Sequence, residues 1–274
     1  MTIRNKKLDI NVELIDHMLR YFQYRPLLDY LTKETSIQHT HLQHSIQLAQ
    51  AILDIDLHQI EYLAPKLNRQ YLLSPRFIER RVYSYAHYMN IQYGRKEYMD
   101  YIRAISPLLV DLLRLIIERD FMADLNDYIE PIVKENVDGK PIYRGLQWKQ
   151  TVIESSDNLV NQTFIKYYGD RFNYKHYVSS SHLIKLIDDH SKNEEVKAKA
   201  IMLRHIEKYL RNIVAHEVIH VDDALVERRT GMSIEQIHRL LQESLILAGL
   251  EDKRQWQILN DINNTIHQII LEIN

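Results

Sequence analysis

Apolar residues recurring every three or four positions dominate this chain, and that spacing decides the fold class before any motif is considered. From Leu8 to Phe22 the positions Leu8, Val12, Leu14, Ile15, Met18, Leu19 and Phe22 trace one helical face. The same period returns over residues 38–53, 56–69, 96–119, 193–218, 233–249 and 252–273. Six glycines and six prolines in 274 residues leave few turn signals for a β architecture. The expectation is an all-α fold, with a helical domain over 1–134 and a second helical bundle over 135–274.

Local signals set the element boundaries. Pro26 suits the first turn of a second helix, and Ser74-Pro75 is a start signal for a helix running to about Tyr93. Pro107 predicts a kink or a division in the 96–119 helix, and Met122–Val133 reads as a short helix. KENVDGKPIYRGLQWK, residues 134–149, carries turn residues and little periodicity; it is the candidate boundary or long loop, with PIY as a candidate short strand. Residues 169–181 read as irregular. Asn193, Glu194 and Glu195 cap a helix expected to reach at least Val218. Ser233 and Gln236 form a capping box, and a last amphipathic helix spans about Asp252 to Ile273.

Composition narrows the function classes. A net charge of −2 supplies no global field toward nucleic acid or membrane, so an RNA contact requires a local basic patch. The absence of cysteine excludes disulfides, thiolate nucleophiles and thiolate metal sites, and suits a reducing cytoplasm. The longest apolar run, Ile105 to Ile117, is interrupted by Ser106, Pro107, Asp111 and Arg114, too short and too charged to cross a bilayer. A soluble cytoplasmic protein with no membrane partner is expected.

One stretch carries chemistry. RNIVAHEVIH, residues 211–220, contains two overlapping patterns that use His216 in incompatible roles. Its last five residues read H-E-x-x-H. On a helix His216 and His220 would share a face as zinc ligands, with Glu217 as general base. That zinc metallopeptidase reading also needs an edge strand and a third ligand. Glu227, Glu235 and Glu243 are available, but each has a helical-surface explanation, and Asp222 and Asp223 follow where an apolar continuation is usual.

The first six residues read R-x-x-x-x-H. Arg211 and His216 lie about 140° apart around a helix, so they flank a cleft if a second copy of the helix faces the first. Metal-free RNA cleavage needs a base for the ribose 2′-hydroxyl and charge stabilisation at phosphorus. Histidine titrates near neutrality and suits the first task; arginine offers phosphate a permanently charged fork. Asn212 adds a short polar group. Upstream, Lys197, Arg204, Lys208 and Arg211 form a basic stripe opposite the apolar stripe Ala200, Leu203, Ile206, Leu210 and Ile213. Such a stripe can guide an RNA backbone, although a solvated helix face explains the stripe alone as well. His39, His41 and His44, the arginines 76, 80 and 81, and His205 are more simply read as surface or packing residues.

On RNIVAH and its surroundings the chain resembles the type III-A (Csm-type) CRISPR-associated HEPN ribonucleases. RNIVAH matches the family's R-N-x-x-A-H core at the expected distance from the C-terminus. LNDINNTIHQIILEIN resembles the family's final helix, IIERDF the junction into the HEPN domain, and LIDHMLRYFQYRPLLDYL the start of its helical middle domain. The resemblance implies that 135–274 is a HEPN domain and that two protomers form a composite site. It further implies that Arg211 and His216, aided by Asn212, cut single-stranded RNA without metal or cofactor. The products would be a 2′,3′-cyclic phosphate and a 5′-hydroxyl. Family members normally begin with a CARF domain that binds a cyclic oligoadenylate activator; this sequence starts where that domain ends. The activator is therefore an expected partner only if a sensor domain is present elsewhere. An inactive HEPN scaffold for dimerisation or RNA binding is the alternative.

Overall fold

A computed structural model describes residues 11–34, 39–211, 214, 217 and 219–273. In chain order the elements are α1 (Val12–Arg20), α2 (Tyr24–Asp29), α3 (Thr40–Asp54), α4 (Leu57–Leu63), α5 (Phe77–Gly94) and α6 (Tyr98–Asp120). The antiparallel hairpin β1 (Ile129–Glu135) and β2 (Pro141–Trp148) follows. Then come α7 (Gln150–Ile153), α8 (Leu159–Tyr168), α9 (Ser180–His190), α10 (Glu194–Ile206), α11 (Asp223–Thr230), α12 (Ile234–Leu247) and α13 (Lys253–Ile273). The fold is all-α with one small sheet, as the periodicity predicts.

Contacts divide the chain into one unit of residues 1–97 with 252–274, and another of 98–251. The boundary read from the sequence, 134/135, lies at the end of β1, within the second of these units.

In the first unit α13 packs against α1, α3 and α5, so the end of the chain completes the core begun at its start. Ile258, Leu259, Ile262, Ile266 and Ile270 join Ile15, Leu27, Ile46 and Ile52 in one apolar cluster. Polar ties fix the register: the Tyr24 hydroxyl donates to Asn263 Oδ1 (2.8 Å), and Asn263 Nδ2 donates to the Leu19 carbonyl (3.1 Å). His39, weighed above as a surface histidine, caps α3, its Nδ1 accepting the Leu42 N–H at 3.1 Å. The arginines near Ser74 have local tasks: Arg76 pairs with Glu79 and Arg80 with Glu61. Ser74 is not the cap of α5; its hydroxyl donates to Glu79, and the helix begins beyond Pro75, at Phe77.

His87 is a buried polar residue of this unit. Its Nε2 donates to the Gln255 carbonyl (2.9 Å), and burial pushes the imidazole down to about 4. In the unfolded chain the same ring takes its proton near 6.5. Stability is therefore complete above that value and is lost as pH falls from 6.5 through 4, by roughly 3 kcal/mol for this group. Melting temperature measured across this window should fall for the wild type and fall less for His87→Gln. Parallel curves would show that His87 does not carry the effect.

In the second unit α6 is the central element, packing against α9, α10 and α12. Pro107 neither divides nor ends it; the helix runs unbroken from Tyr98 to Asp120. The surrounding Ile105, Leu108, Leu109, Leu112 and Leu113 are all buried, and their burial outweighs one missing backbone hydrogen bond.

The helix expected over Met122–Val133 is instead a 3₁₀ turn, Leu125–Tyr128, followed by β1. Arg114 and Glu118 of α6 hold the turn through Asn126, each at 2.6 Å, and Pro131 favours extended backbone before it. At the hairpin tip Asn136 Oδ1 accepts the N–H groups of Asp138 (2.9 Å) and Lys140 (2.8 Å). The PIY strand is present within β2.

A bulge between Ile132 and Val133 leaves Arg144 as the extra residue beside Gly145. Gly145 has φ 136, and a Cβ there would lie 2.9 Å from the Tyr177 ring. Gly145→Ala is expected to cost roughly 1–3 kcal/mol, read as a lower melting temperature. An unchanged value would mean the ring moves aside freely.

Candidate functional site

The segment leading to RNIVAH is built on α10. Asn193 caps it, its Oδ1 accepting the N–H groups of Glu195 (3.0 Å) and Val196 (3.3 Å). Ala200, Leu203 and Ile206 are buried, as the apolar stripe predicts, and so is Val196. Past Ile206 the helix widens into a π-type turn, Glu207–Arg211, which Leu210 and then Val214 continue to anchor in the core. Wide turns of this kind are rare and favour functional sites. The even spacing from which the basic stripe was drawn thus ends at Ile206.

Glu207 organises this turn. It is 8% exposed, yet its carboxylate accepts from Ser106 Oγ (2.7 Å), Ser180 Oγ and Arg204 Nη1 (2.7 Å). A buried carboxylate is tolerated only with this density of donors. Residues of α6, α9 and α10 therefore converge on the turn immediately before the motif. On its far side Arg103 Nε donates to the Val214 carbonyl at 3.0 Å. Sequence reading missed Glu207, although a signal was present: it stands four residues after Leu203 and three before Leu210, on the buried stripe.

Arg211 closes the wide turn. Asn212 and His216 lie outside the described residues. Among the proposed guiding cations, Arg204 is paired with Glu207, and Lys197 stands 3.6 Å from Glu194. Lys208 is exposed, its ammonium 4.9 Å from the Tyr209 ring centroid. His205 is also exposed and packs on Tyr209, with ring centroids 4.6 Å apart. Two cations of the stripe are thus matched by carboxylates.

The zinc reading loses its geometry. Glu217 lies in a bend, and Ile219 and His220 are in non-helical backbone rather than on a helix. Glu235 is paired with Arg239 (3.1 Å) and Glu243 with Lys199. Among the described residues no three histidines or carboxylates are grouped to hold a metal ion.

Beside α9, Trp148, Phe164 and Phe172 enclose His182, whose Nδ1 accepts the indole N–H at 3.1 Å. Burial, helped by Lys185 and His176, pushes this imidazole down to about 4, so it is neutral and structural.

Comparison with known proteins decides what this arrangement belongs to. The sequence profile of the Cas_Csm6 HEPN domain matches residues 71–267, a stretch that includes RNIVAH. The chain belongs to the Csm6 HEPN family. It is a type III CRISPR-associated HEPN protein. Among solved structures, Enterococcus italicus Csm6 bound to cyclic hexa-2′-fluoro-hexa-dAMP superposes with a TM-score of 0.60 at 12% identity. The likeness covers 94% of the present chain and 56% of that protein, so this chain spans little more than half of its length. At such identity the superposition supports the HEPN-type fold rather than any shared ligand. No curated protein sequence matches the chain. Among the described residues no helix is long and apolar enough to cross a membrane.

Proposed function

We propose that this Csm6-family chain is a metal-independent endoribonuclease for single-stranded RNA, acting as a homodimer in CRISPR-associated antiviral defence in the cytoplasm. Family membership across the RNIVAH segment is the observation that carries the reading. In each composite site His216 takes the proton of the ribose 2′-hydroxyl while Arg211 neutralises the phosphorane, and Asn212 orients the phosphate or the arginine. The 2′-oxygen attacks phosphorus and the 5′-oxygen leaves, taking up a proton from solvent, giving a 2′,3′-cyclic phosphate and a 5′-hydroxyl. Lys208, with the exposed portions of Lys197 and Arg204, meets the RNA backbone through sequence-independent contacts. The E. italicus protein is bound to cyclic hexa-2′-fluoro-hexa-dAMP; a cyclic oligoadenylate activator is a partner of this chain only if a sensor domain is present elsewhere.

The test is cleavage of a fluorogenic single-stranded RNA in EDTA, with end-group analysis of the products and measurement of the oligomeric state. Turnover that requires added zinc, or an active monomer, would overturn the reading.

A second reading is an inactive HEPN scaffold that dimerises or binds RNA. The pairing of Arg204 with Glu207 and of Lys197 with Glu194 favours it, because both reduce the charge available to a substrate. RNA binding without turnover would select it.

A further inference from the structure

A cavity of about 450 Å³ opens within the first unit, between the α1–α2 turn, the C-terminal part of α5 and the first turns of α13. Its walls carry two guanidinium groups and no carboxylate. Arg20, exposed at the end of α1, has no ion-pair partner among the described residues. Arg95 donates from Nη2 to the Tyr21 carbonyl, and its buried Nε has no partner among the described residues. Glu97 stands 4.0 Å from Arg95 but does not line the cavity. In a chain of net charge −2, a wall of this composition selects an anion, and guanidinium groups suit phosphate.

The remaining walls select a planar group. Trp256 is held by Tyr83 and His87, with ring centroids 4.8 and 5.6 Å away, so its indole is oriented before any ligand arrives. Tyr21 and Phe22, also in the lining, sit on a turn in which Phe22 takes φ 52. The turn is closed by hydrogen bonds from Phe22 N to Leu19 O (3.0 Å) and from Gln23 N to Met18 O (2.8 Å). Non-glycine residues adopt this conformation only where the surroundings enforce it. Asn90 and Asn260 add amide edges able to meet a heterocycle. At Gly94 an added Cβ would meet nothing within 4 Å, so the rim there is open.

We propose that this cavity binds a nucleoside monophosphate unit, with the phosphate on Arg20 and Arg95 and the base against Trp256. Cations beside stacking rings are the usual means of holding one nucleotide without reading a sequence, and the volume lies in the range of small-ligand sites. The unit is either a free mononucleotide or the phosphorylated end of a short RNA. The site is built entirely from the first unit, whereas Arg211 and His216 belong to the second. The inference therefore stands whether or not the chain proves to be a nuclease.

The test uses the full chain, titrated by calorimetry and by tryptophan fluorescence with the four common ribonucleoside monophosphates, the parent nucleosides and inorganic phosphate. A second arm uses short RNAs with and without a terminal phosphate. At least one monophosphate should bind, with the nucleoside and phosphate alone each weaker by roughly tenfold or more. Arg20→Glu, an exposed change, should weaken binding by a similar factor while circular dichroism stays unchanged. If only the phosphorylated RNA binds, and Arg20→Glu weakens it, the ligand is an RNA end. No binding in either arm at millimolar concentration, equal binding of inorganic phosphate, or indifference to Arg20→Glu would overturn the proposal.

Discussion

Replacing His216 with alanine is expected to lower cleavage of single-stranded RNA in EDTA by roughly 10²–10⁴-fold at neutral pH. The size follows from the role proposed for it. Without metal to acidify the 2′-hydroxyl, a positioned base must take that proton in the transition state. A methyl group leaves only solvent to do so. Arg211→Ala should cost roughly 10²–10³-fold, because the phosphorane loses a fixed positive charge. Arg211→Lys should recover only part of this, since an ammonium keeps the charge but not the planar fork. Circular dichroism and oligomeric state should match the wild type in each case. Full activity in His216→Ala would remove the chemistry proposed for RNIVAH.

The largest effect on stability is expected at Glu207. Glu207→Ala removes the carboxylate that accepts from Ser106, Ser180 and Arg204, leaving two hydroxyls and a guanidinium without their acceptor. Breaking one side of a buried charged network costs about 3–5 kcal/mol. For a chain of this size the melting temperature should fall by roughly 5–10 °C. Glu207→Gln keeps an acceptor oxygen for the serines and should lose less. Arg204→Ala should also destabilise, because it leaves the buried carboxylate with only its two hydroxyl donors, but less than Glu207→Ala, because the arginine side chain is 37% exposed and water can take part of its place. A fall of less than about 1 °C in Glu207→Ala would mean that this cluster does not hold the turn before the motif.

How much of this was legible in advance depends on the range of the interactions involved. The Ser233–Gln236 capping box, the Asn193 cap and the extent of α13 follow from neighbours three or four residues apart, and the structure has them where the sequence puts them. Pro107 does not divide α6, because its local cost is outweighed by the apolar residues packed around the helix. Residues 122–133 misled because apolar spacing alone does not separate a short helix from a turn and an edge strand. Side chains of α6 bonded to Asn126 settle that segment.

The candidate site divides along the same line. RNIVAH, the family it belongs to and the residues to test there are sequence properties, since they depend on residue types at fixed spacing. That Arg204 answers a buried carboxylate, that a wide turn precedes Arg211, and that His220 has left the helix depend on tertiary contacts. The cavity around Trp256 is of this second kind: Arg20, Arg95 and Asn260 are far apart in the chain and meet only when α13 folds back on α1 and α5. Local periodicity determines which segments are helical because it acts within a single turn. Which side chains share a buried charge or a cavity is decided by burial among distant segments, which no local pattern encodes.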